Sequence, residues 1–336
     1  MAALSDLRGA LEPEIVELRR IEADRLAPLL DEEIAAWRSE LDWDFRLSAD
    51  LVRRFVHMQA LTGFALVTNT AEGPRVDGYS YYVCEDGKGL IGDLYVTRKL
   101  RTPERENLLL GAVLNALWRT PGVRRVEAQL LMLSSPLDTA RHENFPLREW
   151  FRCYRRSFLY APLGVAAGLR ARAQDGVTIA AWSERVQEQT ARLIASAYQG
   201  HVDSQINDQY RSPAGARRFL MNIVQYPGCG TFFAPGSYAA VDIATRQLRG
   251  VSLASLVAQH CGHITQVCVG RSDQGTGLGY ELMRQSLVAM SAHGCSLVSL
   301  TVTSANENAM RLYQRMGFTE RRDFAAFVWD RSQHVR

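Results

Sequence analysis

The chain lacks the features that would assign it to a membrane, a metal or a nucleic acid. Two segments carry no charged side chain, Phe219 to Val241 and Gly250 to Gly270, but each is interrupted by Gly, Gln, His, Ser or Pro, so neither reads as a membrane span. The N-terminus, MAALSDLRGALEPEIVELRR, has acidic residues early and no long apolar core, and no signal peptide is expected from it. No dense Lys/Arg block with interleaved aromatics occurs and the net charge is only +3, so nucleic acid is not an expected partner. The short pairs Arg19-Arg20, Arg53-Arg54, Arg124-Arg125 and Arg155-Arg156 are expected on solvated surface. Six cysteines show no C-x-x-C spacing, which supports neither a metal site nor a disulfide framework and fits free thiols in a reduced, cytoplasmic setting.

With 336 residues the chain is long for one domain and short for three, and its apolar content suffices for two cores. Gly164 to Gly176, rich in Gly, Ala and Arg with little periodicity, is the expected linker. The expected halves are residues 1–163 and 177–336.

The most informative stretch is Val267 to Gly279, VCVGRSDQGTGLG. An apolar, β-rich run ends at Val269, the chain breaks at Gly270 to Asp273, and Gln274-Gly275-Thr276-Gly277-Leu278-Gly279 leads into a helix. Three alternate glycines let consecutive backbone N–H groups point into one hollow, since no Cβ obstructs positive φ or a close ligand. A hollow at a helix N-terminus suits a diphosphate, because orphan amides and the helix dipole both favour negative charge. The Rossmann spacing would need glycine where Tyr280 stands, and the Walker loop would need a lysine that is absent here.

The loop instead resembles Gln/Arg-x-x-Gly-x-Gly, the pyrophosphate loop of the GNAT superfamily of N-acetyltransferases. About thirty residues on, Asn306-Glu307-Asn308-Ala309-Met310-Arg311-Leu312-Tyr313 followed by Gly317-Phe318 resembles that superfamily's Asn-x-x-Ala-x-x-Leu-Tyr-x-x-x-Gly-Phe helix. Periodicity from Val177 onward gives β-α-α-β-β-β-α-β-α-β, the order of that fold. The first half repeats the order more loosely. Aligned on the strand ending at Val96, its loop would begin at Arg101, but Thr102, Glu104 and Glu106 occupy the small-residue positions and two carboxylates would repel a diphosphate. Leu147 to Arg156 is read as its last helix, with Arg152-Cys153 in place of Leu-Tyr. The expected class is α/β with a mixed sheet, as two tandem GNAT folds, the first degenerate and the second carrying the site.

The resemblance implies acetyl-CoA as acyl donor, no metal, and direct transfer to a primary amine of a small molecule or peptide. Gln274, Gly275, Thr276, Gly277, Leu278 and Gly279 would hold the diphosphate, and the backbone of Val267, Cys268 and Val269 would pair with the pantetheine arm. The amide of Cys268 or Val269 would face the developing oxyanion, and Asn306 would reach the cofactor or its channel. Tyr313 is the candidate acid, since a phenol near pKa ~10 can protonate a thiolate near ~8.5. Cys268 reads as a half-buried strand residue and not as a nucleophile. From Val251 to Gly270 no Asp or Glu occurs, so the strand carboxylate that often serves as base is missing. His263, expected to share one face with Thr265, Val267 and Val269, is the catalytic candidate in its place. His201 and Asp203, in the polar connection 200–210, and a water held by Ser299 and Thr301 are the other groups to weigh. These four residues are the expected acceptor contacts. Two rival readings stay open: an acyl-CoA-binding sensor without turnover, and an interaction or dimerisation role for the first half, which leaves room for a homodimer.

Overall fold

The computed structural model describes residues 12–133, 140, 141, 143, 145–226 and 228–331; the first eleven residues, on which the signal-peptide expectation rests, lie outside them. The chain folds into two compact units, neither contiguous in sequence: one comprises residues 1–37, 45–153 and 324–336, the other residues 38–44 and 154–323. Each half therefore lends its closing strand to the other unit, where the sequence suggested two uninterrupted stretches.

The first unit contains β1 (Glu14–Glu17), most of α1 (Ala23–Leu41), α2 (Arg46–His57), β2 (Gly63–Thr70), β3 (Gly73–Glu85), β4 (Lys88–Val96), α3 (Pro103–Arg119) and β5 (Arg125–Leu130). Its sheet runs β1-β2-β3-β4-β5, with β4 and β5 parallel and the other pairs antiparallel. Residues Ala325–Asp330 of the chain's last strand, β13 (Thr319–Asp330), then pair antiparallel with β5. Alternation along β13 sends Ala325, Phe327 and Trp329 into a core shared with Leu109, Val113 and Leu117 of α3. The α3 N-terminus is well defined: the Thr102 side chain accepts from the Arg105 amide at 3.4 Å and Pro103 takes the first helical position, where its missing N–H costs nothing. Two glutamates occupy that first turn. Arg125 belongs to the interior and not to the surface expected of it, because its guanidinium bonds Glu127 at 2.6 Å and Asp330 at 2.7 Å.

The segment read as a helix over Leu147–Arg156 is instead a short 3-10 turn, Arg148–Trp150, running into β6 (Phe151–Pro162). In the second unit, Arg156–Pro162 of β6 pairs antiparallel with β12 (Leu297–Thr303), Phe158 opposite Thr301 and Leu159 opposite Leu300. A seven-residue ladder outweighs a helical periodicity that has no tertiary partner.

The rest of the second unit is β7 (Val177–Ala181), α4 (Gln187–Ala197), α5 (Asp203–Ile206), α6 (Pro213–Gln225), β8 (Thr231–Phe232), β9 (Tyr238–Asp242), β10 (Leu248–Ala258), β11 (Cys261–Val269), α7 (Leu278–Ala292) and α8 (Glu307–Arg315). Strand order is β6-β12-β11-β10-β9-β7, with β8 on β10 and only β11–β12 parallel. Helices α4 and α6 pack Ala191, Ile194, Ala216 and Leu220 on one face, against Val251, Leu253 and Cys268. Helices α7 and α8 pack Met283, Leu287, Met290 and Tyr313 on the other, against Ile264, Val298, Leu300 and Val302. The expected linker is partly core: Ala166 is buried with α7 beside Leu163, the residue before the expected linker, and Val165 lies where a Cβ on Gly317 would be 3.0 Å away. Among the described residues, no helix is long and apolar enough to cross a membrane and no cluster of His, Cys, Asp and Glu could hold a metal ion.

Candidate active site

Two irregularities of β11 shape the site. The ladder with β10 pairs Leu253 with Gln266 but Ala254 with Ile264, so Thr265 is an extra residue and its hydroxyl bonds back to the Leu253 carbonyl at 3.0 Å. A bulge of this kind restarts the alternation of faces. Ile264, Val267 and Val269 consequently point toward α7, whereas His263, Gln266 and Cys268 share the opposite face. The expected row of His263 with Val267 and Val269 is thereby corrected. In addition, β11 and β12 pair only from Cys261–Ile264 to Leu297–Leu300. Past that point each strand keeps its outer partner, β10 for one and β6 for the other, and the strands part. The gap leaves the β11 edge over Val267–Val269 open to a further extended chain.

Polar side chains gather at this gap. The Gln266 side chain donates to the Tyr198 hydroxyl at 2.9 Å and accepts from that of Tyr210 at 3.4 Å, while the two phenol rings stack with centroids 4.5 Å apart. On β12, the Thr303 hydroxyl donates to Asp203, whose carboxylate also lies 3.6 Å from His201 Nδ1 and 4.0 Å from Arg156. Asn306 Nδ2 meets His201 Nε2 at 3.2 Å, and Asn306 Oδ1 caps α8 by accepting from the Ala309 amide at 3.2 Å. His201 Nδ1 accepts from the Asp203 backbone amide at 3.2 Å, which fixes the ring between Asp203 and Asn306. Asn306 thus anchors the helix that carries Tyr313 and holds the imidazole beside Asp203. Tyr313 is buried; desolvation first, then the Asp203 charge, raises its phenol above the ordinary value, with Arg156 opposing. The phenol remains protonated.

His263 does not have the surroundings of a working base. Its ring lies between Trp43, with centroids 5.1 Å apart, and Phe158, and its Nδ1 is 2.9 Å from Ser299 Oγ. Burial first, and then the Arg156 charge, lowers its pKa to about 3. Ser299 is occupied by this contact and by the Gly262 carbonyl, and Thr301 accepts from Arg156 at 3.2 Å. Cys268, expected to be a half-buried strand residue, is a buried one held as a thiol, since burial pushes it up to about 12. Sequence reading missed Tyr198, Tyr210, Gln266 and Arg156. Tyr210 stands in the polar connection, but Arg156 was read as solvated surface although its side chain is only 12% exposed.

Below the gap, Gly270 turns the chain and Asp273, buried and paired with Arg249, fixes the loop from beneath. The Thr276 hydroxyl donates to the Asp273 carbonyl at 2.8 Å. Gly275 and Gly277 have φ of 81° and 92°, the left-handed region that a side chain resists, and Gly277 is the N-cap of α7. No acceptor among the described residues takes the amide hydrogens of Gly275, Gly277, Gly279 or Tyr280. Orphan amides at an exposed turn and helix N-terminus fit a diphosphate. The corresponding turn of the first unit, before α3, has an ordinary cap and two carboxylates, and does not fit one.

Residues 208–318 match the model of the acetyltransferase (GNAT) family. No curated protein matches the chain by sequence. Among solved structures, a GCN5-related N-acetyltransferase from Sphaerobacter thermophilus is similar with a TM-score of 0.64 at 16% identity, over 94% of this chain and 95% of that one. A tandem GNAT protein from the clavulanic acid biosynthesis pathway gives 0.61 at 16% identity, over 95% and 99%. The glucosamine N-acetyltransferase region of a fungal multi-domain β-N-acetylglucosaminidase gives 0.61 at 12% identity, over 95% of this chain and 38% of that one. At these identities the likeness is one of fold.

Proposed function

We propose that the second unit is an acetyl-CoA-dependent N-acetyltransferase acting on a primary amine of a small molecule or peptide, a reading supported by the match of residues 208–318 to the acetyltransferase (GNAT) family model and by the fold shared with a tandem GNAT protein. One observation carries this reading: the orphan amides of the glycine loop follow the parted end of β11, and a protonated phenol and a carboxylate that act on each other electrostatically belong to the same unit, the carboxylate bonded to the parted end of β12. Acetyl-CoA, when bound, supplies the thioester acyl group and a thiolate leaving group.

In this reading the amides of Gly275, Gly277, Gly279 and Tyr280 hold the diphosphate, and the open edge at Val267–Val269 pairs with the pantetheine amides. The Cys268 amide faces β10, so it is the Val269 amide, on the open edge, that stabilises the oxyanion. Tyr313 Oη holds the proton that the departing sulfur requires. Asp203 takes the part of the missing strand carboxylate: it holds the incoming ammonium and accepts its proton, with His201 and Asn306 fixing its position. The aromatic wall of Tyr198 and Tyr210 favours a cationic acceptor, since ring faces attract ammonium groups.

The test is release of free CoA by the purified chain from acetyl-CoA, across amines, aminoglycosides, polyamines, amino acids and peptides. An amine-dependent thiol signal supports the proposal. Tight acetyl-CoA binding with no release for any acceptor would return the sensor reading in its place.

A further inference from the structure

Resting on the reading just given, we propose that Arg172, in the segment read as a linker, is the cationic half of the diphosphate cradle. Residues 170–172 are strapped over the start of α7. The Tyr280 hydroxyl donates to the Arg170 carbonyl at 3.0 Å, and the Arg172 amide donates to Glu281 Oε2 at 2.9 Å. Glu281 is itself fixed by two guanidinium nitrogens of Arg284, Nε and Nη2, so the anchor is rigid. These bonds lay the Arg172 guanidinium over the Tyr280 ring, 4.7 Å from its centroid. Its Nη1 then stands 3.2 Å from where a Cβ on Gly277 would be, and Gln174 Nε2 stands 3.9 Å from the same point.

The guanidinium meets no carboxylate at ion-pair distance among the described residues, whereas Arg249 and Arg284 are each paired. An arginine whose backbone is tied down, whose plane is fixed on a ring and whose charge is left open beside orphan amides is arranged for a bidentate anion. Backbone amides supply direction but no net charge; Arg172 supplies the charge. The stretch between the two halves is on this argument part of the donor site, and its length and anchoring are constrained by it.

The experiment is isothermal titration of the full chain and its Arg172→Gln, Arg172→Lys and Gly277→Glu variants with acetyl-CoA and with acetyl-dephospho-CoA, which keeps the diphosphate but lacks the 3′-phosphate. Arg172→Gln is expected to weaken both ligands about tenfold, as loss of a charge-assisted contact does. Arg172→Lys should recover most of that loss. The gap between wild type and Arg172→Gln should narrow from 0.1 M to 1 M salt, where screening shortens from ~10 Å to ~3 Å. A merely structural role would leave Lys no better than Gln and the gap independent of salt, and would overturn the proposal. So would a loss seen with acetyl-CoA alone, which would assign Arg172 to the 3′-phosphate. Wild-type affinity in Arg172→Gln, with binding abolished in Gly277→Glu, would overturn the role of Arg172 and leave the donor site standing. Failure of the unmodified chain to bind either ligand would overturn both.

Discussion

At the scale of single residues, burial decides which ionisable groups can act. Tyr313 is kept as a phenol by desolvation and by the Asp203 charge, so it has a proton to give. Tyr313→Phe should lower kcat about a hundredfold or more while leaving acetyl-CoA affinity within a factor of about two, the signature of a lost general acid. Equal turnover in steady-state assays would remove the role. Asp203→Asn should raise the KM for the amine and lower kcat, with the acetyl-CoA dissociation constant unchanged. An unaltered amine KM would leave the carboxylate without a part in acceptor binding. In the first unit, Glu33 is fully buried, accepts from Tyr79 at 2.7 Å and from Trp37 at 3.2 Å, and faces Asp93. Burial first, then Asp93, raises Glu33 well above the carboxylate range, and burial raises Asp93 to about 6. Folded-state values above the unfolded ones mean that this pair favours folding fully below pH ~4 and progressively loses that contribution as pH rises to 6 and beyond. Glu33→Gln mimics the protonated acid, so its Tm should exceed wild type at pH 8 and match it near pH 4. A difference independent of pH would contradict the assignment.

At the scale of elements, the glycine loop was legible because its requirements are local: positive φ, no Cβ, and a helix start. Gly277→Glu places a side chain in the left-handed region against Arg172 and adds a negative charge, so calorimetry should detect no acetyl-CoA binding. Glu104→Gln, in the counterpart turn before α3, should bind as wild type does. Normal binding by Gly277→Glu would mean that the donor site lies elsewhere. The reading of faces along β11 failed for an equally local cause. Period-2 alternation holds only while the ladder is regular, and Thr265, the inserted residue, gives no signal in composition. His263 was paired with the wrong neighbours for that reason, and Gln266 went unread.

At the scale of the whole chain, the first compact unit needs a strand from the far end of the sequence. The first unit's core contains Phe327 and Trp329, both fully buried, and its Arg125 is neutralised in part by Asp330. Removing two such aromatics costs on the order of 3–5 kcal/mol each, comparable with the total stability of a domain. A fragment of residues 1–163 should therefore lack a cooperative thermal transition by circular dichroism. Addition of a peptide spanning residues 319–336 should restore one in part. A sharp transition near that of the full chain, in the fragment alone, would refute the dependence.

What the sequence determined by itself were the tandem α/β character, the order of elements in the second half, the glycine loop and the Asn306–Tyr313 helix. These follow from glycine chemistry, capping and periodicity, all set within about a dozen neighbouring residues. Tertiary structure alone decided the strand over Phe151–Pro162, the lending of closing strands, the burial of His263, the partial burial of Arg156, and the meeting of Asp203 with Thr303 across 100 residues of chain. Such features depend on which edges and charges remain unsatisfied once the local elements have formed, and that is settled only when distant segments compete to cover them.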